Sequence, residues 1–375
     1  MRLKYTRLIT LKNRQILQKN MHRFVCSLGL FLPIKKNFHI KIPKKILFFR
    51  IGGIGDVIMT TSLLNKIAKL GVEIHYLVGK HSSSVLKNNP FIKKITTFDE
   101  TIIFNKRLLK LNMLRTQVIT QNYDLVFILD KSYLANLFFL STKIPVRIGF
   151  DRSGEGFLNT HNVIYDQKIH DIFAYLKLAG FLGIKSKDYQ PKLYLSKEDE
   201  KFATNFFKNN KIKKPIIIAP GGANNPGQKL ELKLWPKENY RELVKLLSKK
   251  HDIILVGSLS DEKISNFVSQ NLKVHNLAGK TTIHQTASLM KKAKLIICND
   301  SGPMHLASAV NKKILSLFFI TNPKVLAPLH KQSKYLWKEK SACYDIYGNY
   351  DKCKGDENEK ISVDEATVEI NKLLK

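Results

Sequence analysis

The chain has 375 residues, 44% of them hydrophobic, and a formal charge of +33. That length is long for one hydrophobic core, so two domains are the default, and the apolar content is enough to fill both, which excludes a disordered chain. The charge says nothing about fold but predicts attraction to polyanions such as nucleic acid, anionic lipid headgroups or phosphorylated glycolipids.

The first 50 residues carry 13 Lys or Arg and no Asp or Glu, so Asp56 is the first acidic residue. Within them, FVCSLGLFLPI (24 to 34) follows basic residues as a signal peptide would. It is short of the roughly 20 apolar residues a membrane span needs, and KKNFHIK stands where a cleavage site should be. It serves equally well as an interfacial anchor or as an extension packed on the first domain.

From residue 45 onward, runs of β-branched and aromatic residues alternate with longer amphipathic segments, the pattern of parallel βαβ units and an α/β fold. The first series of strands is expected at 45 to 50, 72 to 78, 93 to 98, 124 to 129 and 146 to 150. A second begins at 214 to 220 and continues at 252 to 257, 295 to 300 and 313 to 319. Each series has its own first strand, glycine turn and helix, so a boundary is expected near residues 186 to 197, with a cleft between the halves. The final ISVDEATVEINKLLK has the spacing of one helix. Four cysteines, Cys26, Cys298, Cys343 and Cys353, make neither a dense disulfide framework nor a paired CxxC site, which fits a reducing compartment.

In open α/β sheets, ligands bind beyond the carboxyl ends of strands, and three such turns stand out. IGGIGDVIMT (51 to 60) allows a tight strand-to-helix turn and close ligand approach. A dinucleotide fingerprint fails there, because Gly53 and Gly55 would need a glycine where Ile58 stands. Asp56 suits a helix cap or a cleft base, and the two are compatible. In APGGANNPGQKLELKLWP (219 to 236), Gly221 and Gly222 can present N–H groups and Lys233 a point charge suited to phosphate, although most lysines of so basic a chain are solvated surface. In CNDSGPMHLASA (298 to 309), Pro303 sits in the first turn of a helix whose start, with Ser301 and Gly302, suits a diphosphate. Asp300 is expected as a solvent-facing cleft acid. His305, taken alone, is more often a packing histidine than a catalyst.

In this order the three segments resemble glycosyltransferase family 9, the family of the lipopolysaccharide heptosyltransferases, over about residues 44 to 375. IGGIGDVIMTTSLL looks like its glycine–aspartate turn, KLWPKENYREL like its Lys-x-Trp-Pro block, and NDSGPMHLASA like its Asp-Ser/Thr-Gly-x-x-His-Leu block. The resemblance implies a GT-B fold, two Rossmann-like domains with parallel sheets facing a central cleft. It divides the chain into a basic extension (1 to 43), an acceptor-side domain (44 to 190), a nucleotide-sugar domain (191 to 340) and a segment (341 to 375) whose helix returns to the first domain. It implies inverting transfer of heptose from ADP-heptose to an acidic lipopolysaccharide-type acceptor, with no metal and no cofactor beyond the donor. Asp56 would be the base. Lys233 would stabilise the departing diphosphate. Gly221, Gly222, Asp300, Ser301, Gly302 and His305 would line the donor, with Glu262 toward its ribose and Leu277 to Gly279 toward its base. Gly53, Gly55 and Asp130 would lie on the acceptor side. A cytoplasmic enzyme, peripheral at the inner face of the membrane, would use its basic face on the anionic surface.

Two alternatives remain: a transferase of the same fold using another nucleotide sugar, and a non-catalytic polyanion-binding protein. Intact Asp56, Lys233 and Asp300 oppose the latter. No zinc-finger pattern or RNA-stacking aromatic motif supports nucleic acid as a partner.

Overall fold

The computed structural model describes residues 40–375 apart from 101, 103–107, 153, 186–188, 223, 226–227, 339–342, 344–352 and 354–360. The basic extension, its apolar stretch and Cys26 therefore lie outside the described residues, save for positions 40–43, as does part of the expected domain boundary.

Two six-stranded parallel sheets organise the chain. The first runs β3 (Ile92–Phe98), β2 (Glu73–Gly79), β1 (Lys45–Arg50), β4 (Leu125–Ile128), β5 (Val146–Asp151), β6 (His161–Ile164). The second repeats that order with β11 (His275–Asn276), β10 (Ile253–Leu255), β7 (Ile216–Ala219), β12 (Leu295–Asn299), β13 (Ile314–Phe318), β14 (Lys334–Trp337). Two-residue strands β8 (Asn224–Asn225) and β9 (Gln228–Lys229) pair antiparallel between β7 and the next helix.

Central strands are apolar without alternation, as in LFF of β1 and III of β7, because helices cover both faces of a parallel sheet. Among the described residues the α-helices are α1 (Ile54–Ile67), α2 (Leu108–Ile119), α3 (Tyr133–Leu140), α4 (Asp171–Ala179), α5 (Lys197–Asn209), α6 (Lys237–Leu247), α7 (Glu262–Ser269), α8 (Ile283–Lys292), α9 (Gly302–Ser308), α10 (Pro323–Leu326) and α11 (Val363–Leu374). One apolar cluster joins the facing layers of both sheets, with Phe48, Leu63 and Tyr175 from the first half and Ile217, Met290 and Met304 from the second. Helix α1 packs on α4 within its own half and on α9 across the cleft. The chain crosses between halves along α1, where the Lys192 N–H donates to Thr61 Oγ1 (2.9 Å) and the Tyr194 hydroxyl to Asn65 Oδ1 (3.2 Å).

Two expectations change. Helix α11 stays with the second sheet: Ile361, Val363, Ala366 and Ile370 share a cluster with Trp235 and Tyr240, and the Trp235 indole N–H donates to the Ile361 carbonyl (2.8 Å). Its apolar face packs against α6. Cys343 and Cys353 form a disulfide, with Cα atoms 5.3 Å apart, whereas the cysteine pattern was read as fitting a reducing compartment. Ten residues of separation and no CxxC motif gave no sign of the pairing. Cys298 is a buried free thiol. Among the described residues no helix is long and apolar enough to cross a membrane.

Candidate functional site

Both sheets reverse their winding between the third and fourth strands of the order, β1 with β4 and β7 with β12, and such switch points open crevices beyond the strand ends. The singled-out turns fall at these two points.

Beyond β1, Asp56 closes the turn by accepting from the Gly53 N–H (2.9 Å), the helix-capping role its position suggested. Its other oxygen meets the guanidinium of buried Arg50 at 2.8 Å, while a third of the side chain stays exposed. Burial opposes ionisation of Asp56, but Arg50 first, then Lys131, outweigh it and hold the carboxyl below its ordinary range. Arg50 also donates to the Leu129 carbonyl (3.0 Å) and faces Asp130 (3.4 Å). Asp130 in turn accepts from the Ser132 N–H (2.9 Å) at the start of α3. One guanidinium thus ties the ends of β1 and β4 to the α1 turn. Lys131 points at Asp171 (2.6 Å) and lies 3.9 Å from the centre of the Tyr165 ring, whose hydroxyl bonds the same carboxylate (2.7 Å).

In the second half, fully buried Asn299 holds three pieces together. Its Oδ1 accepts from the Trp235 N–H (3.1 Å) and the Tyr240 hydroxyl (2.9 Å), and its Nδ2 donates to the carbonyls of Pro220 (3.0 Å) and Gly221 (3.2 Å). Gly222 has φ of 101°, a left-handed conformation natural to glycine, and a Cβ there would strike the Ser301 hydroxyl. Its N–H donates to Asp261 (3.0 Å), which also accepts from the Ser258 N–H (2.8 Å).

Lys233, on the short turn Glu231–Lys233, pairs with Asp300 at 2.8 Å, and Thr321 donates to the same carboxylate oxygen (2.7 Å). Asp300 is only 3% exposed, so the solvent-facing acid expected here is instead a buried ion-pair partner. Burial opposes its charge, yet Lys233 and then His305 keep its carboxyl below the usual range. An unpaired carboxylate at that depth would be costly, which explains why the lysine three residues before Pro236 is held there.

The halves meet at His305 and Gly55. A Cβ on Gly55 would overlap the His305 ring, and a Cβ on Gly302 would sit 3.5 Å from Ile54. Burial pushes the His305 imidazole below its ordinary value, against the pull of Asp300, Asp56 and Asp171. His305 therefore packs at the contact between the halves, within the electrostatic reach of acids from both.

Beside this contact a pocket of about 610 Å³ is lined by Ile54, Gly222, Ser258, Asp261, Gly279 and Gly302, together with Thr281 and Pro303. Its volume suits a nucleotide-sized ligand. Gly222, Gly279 and Gly302 line it, whereas Gly221, Ser301 and Lys233 do not. Glu262 does not line it: this first residue of α7 is exposed, and its neighbour Asp261 faces the pocket instead. Asp261, Asn299 and Arg50 were not singled out in the sequence. The acidic residue after SLS and the arginine ending β1 were visible signals, but their partners lie 39 and 80 residues away. Among the described residues no group of three His, Cys, Asp or Glu is placed to hold a metal ion.

Two Rossmann-like sheets meeting at their switch points, with a nucleotide-sized pocket between them, make the GT-B architecture of nucleotide-sugar glycosyltransferases. Residues 112–353 match glycosyltransferase family 9 (heptosyltransferase), and the chain belongs to that family of enzymes. It is 26% identical to the lipopolysaccharide core heptosyltransferase OpsX of Haemophilus influenzae over 298 residues, covering 76% of this chain and 82% of that one. It is 27% identical to lipopolysaccharide heptosyltransferase 1 of Campylobacter coli over 303 residues, 74% and 84% of the two chains. The solved structure of the E. coli ADP-heptose lps heptosyltransferase II superposes with a TM-score of 0.70 at 23% identity, covering 88% of this chain and 98% of that one, and so shares the fold.

Proposed function

We propose that the protein transfers heptose, with inversion, from ADP-heptose to an acceptor sugar of the lipopolysaccharide inner core. The observation that carries this reading is the position of Asp56: a one-third-exposed carboxylate paired with Arg50 at the first switch point, in the same turn as Ile54, which lines the pocket. The relatives' specificity for lipopolysaccharide supplies the substrate class.

In this reading the donor nucleotide occupies the pocket between Gly222, Gly279 and Gly302. Lys233 meets the diphosphate as the glycosidic bond breaks, with its ammonium aimed by Asp300, and backbone N–H groups near Gly302 share the developing charge. The acceptor lies on the side of Gly53, Gly55 and Asp130. Asp56 takes the proton from its hydroxyl as that oxygen attacks the anomeric carbon from the face opposite the leaving ADP, so the configuration inverts. Arg50 keeps Asp56 ionised and oriented, and no divalent metal is required in this scheme. The division into an acceptor half up to residue 190 and a donor half from 191 follows from the same assignment. Work at the inner face of the cytoplasmic membrane would bring the enzyme to a lipid-borne acceptor.

The test is Asp56→Asn, assayed for transfer and for ADP binding. Transfer should fall by roughly 10²- to 10⁴-fold. ADP should raise the melting temperature of variant and parent alike, because it binds the native state of both. Parent-level transfer by the variant would remove Asp56 as base. Stabilisation by UDP, GDP or CMP in preference to ADP would keep a transferase and replace the heptose donor.

A further inference from the structure

On the outer side of the first sheet, away from the pocket, α2 and α3 carry an apolar surface that is exposed among the described residues. Leu108, Leu109 and Met113 are 76%, 85% and 72% exposed, and Leu137 and Leu140 on α3 are each close to half exposed. Between the helices runs a groove of about 540 Å³ lined by Leu108, Leu111, Leu134, Leu137, Phe138 and Leu140. Apolar area of this kind, concentrated on two neighbouring helices, is uncommon on a surface that faces only water.

The charged residues on the two helices carry one sign. Helix α2 contributes Lys110 and Arg115 and no acid, α3 contains no charged residue, and exposed Lys143 follows it. The nearest acids in the chain are engaged elsewhere: Asp124 accepts from the Lys44 and Lys45 N–H groups, and Asp130 faces Arg50. Exposed leucine and methionine bordered by cations form the surface that enters the interface of an anionic bilayer, with side chains among the acyl chains and ammonium groups at the phosphates.

We propose that the α2–α3 face docks the enzyme on an anionic lipid bilayer. The location fits the chemistry of a lipid-borne acceptor, and to that extent the inference rests on the function proposed above. Helix α3 begins at Ser132, whose N–H bonds Asp130, so the patch on Leu137 and Leu140 starts about 7–12 Å along the same helix from the acceptor side of the cleft. A bilayer touching this face would present a headgroup sugar near the end of β4.

The experiment is co-sedimentation of the full chain with vesicles of phosphatidylethanolamine and phosphatidylglycerol, and with vesicles of phosphatidylcholine alone, at low salt. Binding is expected to the first and weak binding to the second. The double variant Leu109→Glu, Met113→Glu should lose anionic-vesicle binding by roughly tenfold or more, with its melting temperature unchanged because both side chains are exposed. Should that variant melt early, Leu109→Ser, Met113→Ser removes the apolar area without added charge and is expected to lose binding likewise. Parent-like vesicle binding by a folded variant would overturn the proposal, as would equal binding to both lipid compositions. A change of sedimentation coefficient in the absence of lipid, caused by the substitutions, would also overturn it by assigning the face to a second copy of the chain. Vesicle binding requires no sugar transfer, so a failed transferase assay and a failed docking surface are separate results. Transfer to a water-soluble acceptor fragment should be unaffected by the substitutions.

Discussion

Asp56 and Arg50 show what a single residue discloses and what it conceals. The sequence placed Asp56 at the end of a glycine turn, where its carboxylate could cap a helix and face a cleft, and the structure has it capping while part of it faces the cleft. Arg50 looked like the basic end of an apolar strand. Besides Asp56, its partners lie 79 and 80 residues away, which no local pattern encodes. A base held below its ordinary pKa by a cation is ionised throughout the physiological range, so on account of Asp56 the acid limb of the pH–rate profile should lie below the usual aspartate region. Replacing Arg50 with Gln removes the principal influence lowering that pKa and leaves burial less opposed, so the acid limb should move to higher pH. The lost orientation should also slow transfer at neutral pH by about 10- to 100-fold. A pH profile of kcat/KM checks both parts. A profile that keeps its acid limb while losing rate would limit Arg50 to holding the two strand ends together.

At the scale of elements, the central strands and the last helix were legible because burial on both faces writes long apolar runs, and an amphipathic helix writes its 3.6 period. Strands β6, β11 and β14 were not. They lie at or beside sheet edges, span two to four residues and mix polar with apolar side chains, so no run or alternation identifies them. Asn299 shows a further limit: it ends a recognisable strand, yet its work is to join the 220 turn, the Lys233 segment and α6. Asn299→Ala should leave the Trp235 N–H, the Tyr240 hydroxyl and two carbonyls short of a partner in a buried place. At about 1–3 kcal/mol for an unsatisfied buried group, with relaxation recovering part, a loss of roughly 2–4 kcal/mol is expected in denaturant unfolding. ADP affinity should fall along with stability, because Gly222 of the pocket wall follows Gly221, whose carbonyl bonds the same side chain. Unchanged stability would mean that the three pieces are fixed by packing around Trp235 alone.

For the whole molecule, two halves and a strong basic character could be taken from length and charge, but the contact between the halves could not, since it depends on which side chains meet across the cleft. Histidines occupy that contact. His170 caps α4 by accepting the Ile172 N–H at Nδ1 (3.2 Å) and donates from Nε2 to the Ala327 carbonyl of the other half (2.9 Å), an arrangement that requires the neutral ring. Burial lowers the pKa of His170, and burial likewise lowers those of His305, His284 and His75. In the unfolded chain these rings titrate near the ordinary value of about 6.5. Between that value and the lower folded ones, the unfolded state binds protons that the native state refuses, so stability decreases as pH falls through this window. Asp56 and Asp300 add nothing to the effect above about pH 5, because their folded pKa values are depressed and an unfolded aspartate titrates near 3.9. The melting temperature should therefore drop by several degrees from pH 7.5 to 5.5. His170→Asn, which can still cap α4 with its side-chain oxygen and donate from its amide, should flatten the dependence. A melting temperature level across that range would show that the buried rings accept protons without disturbing the contact between the halves.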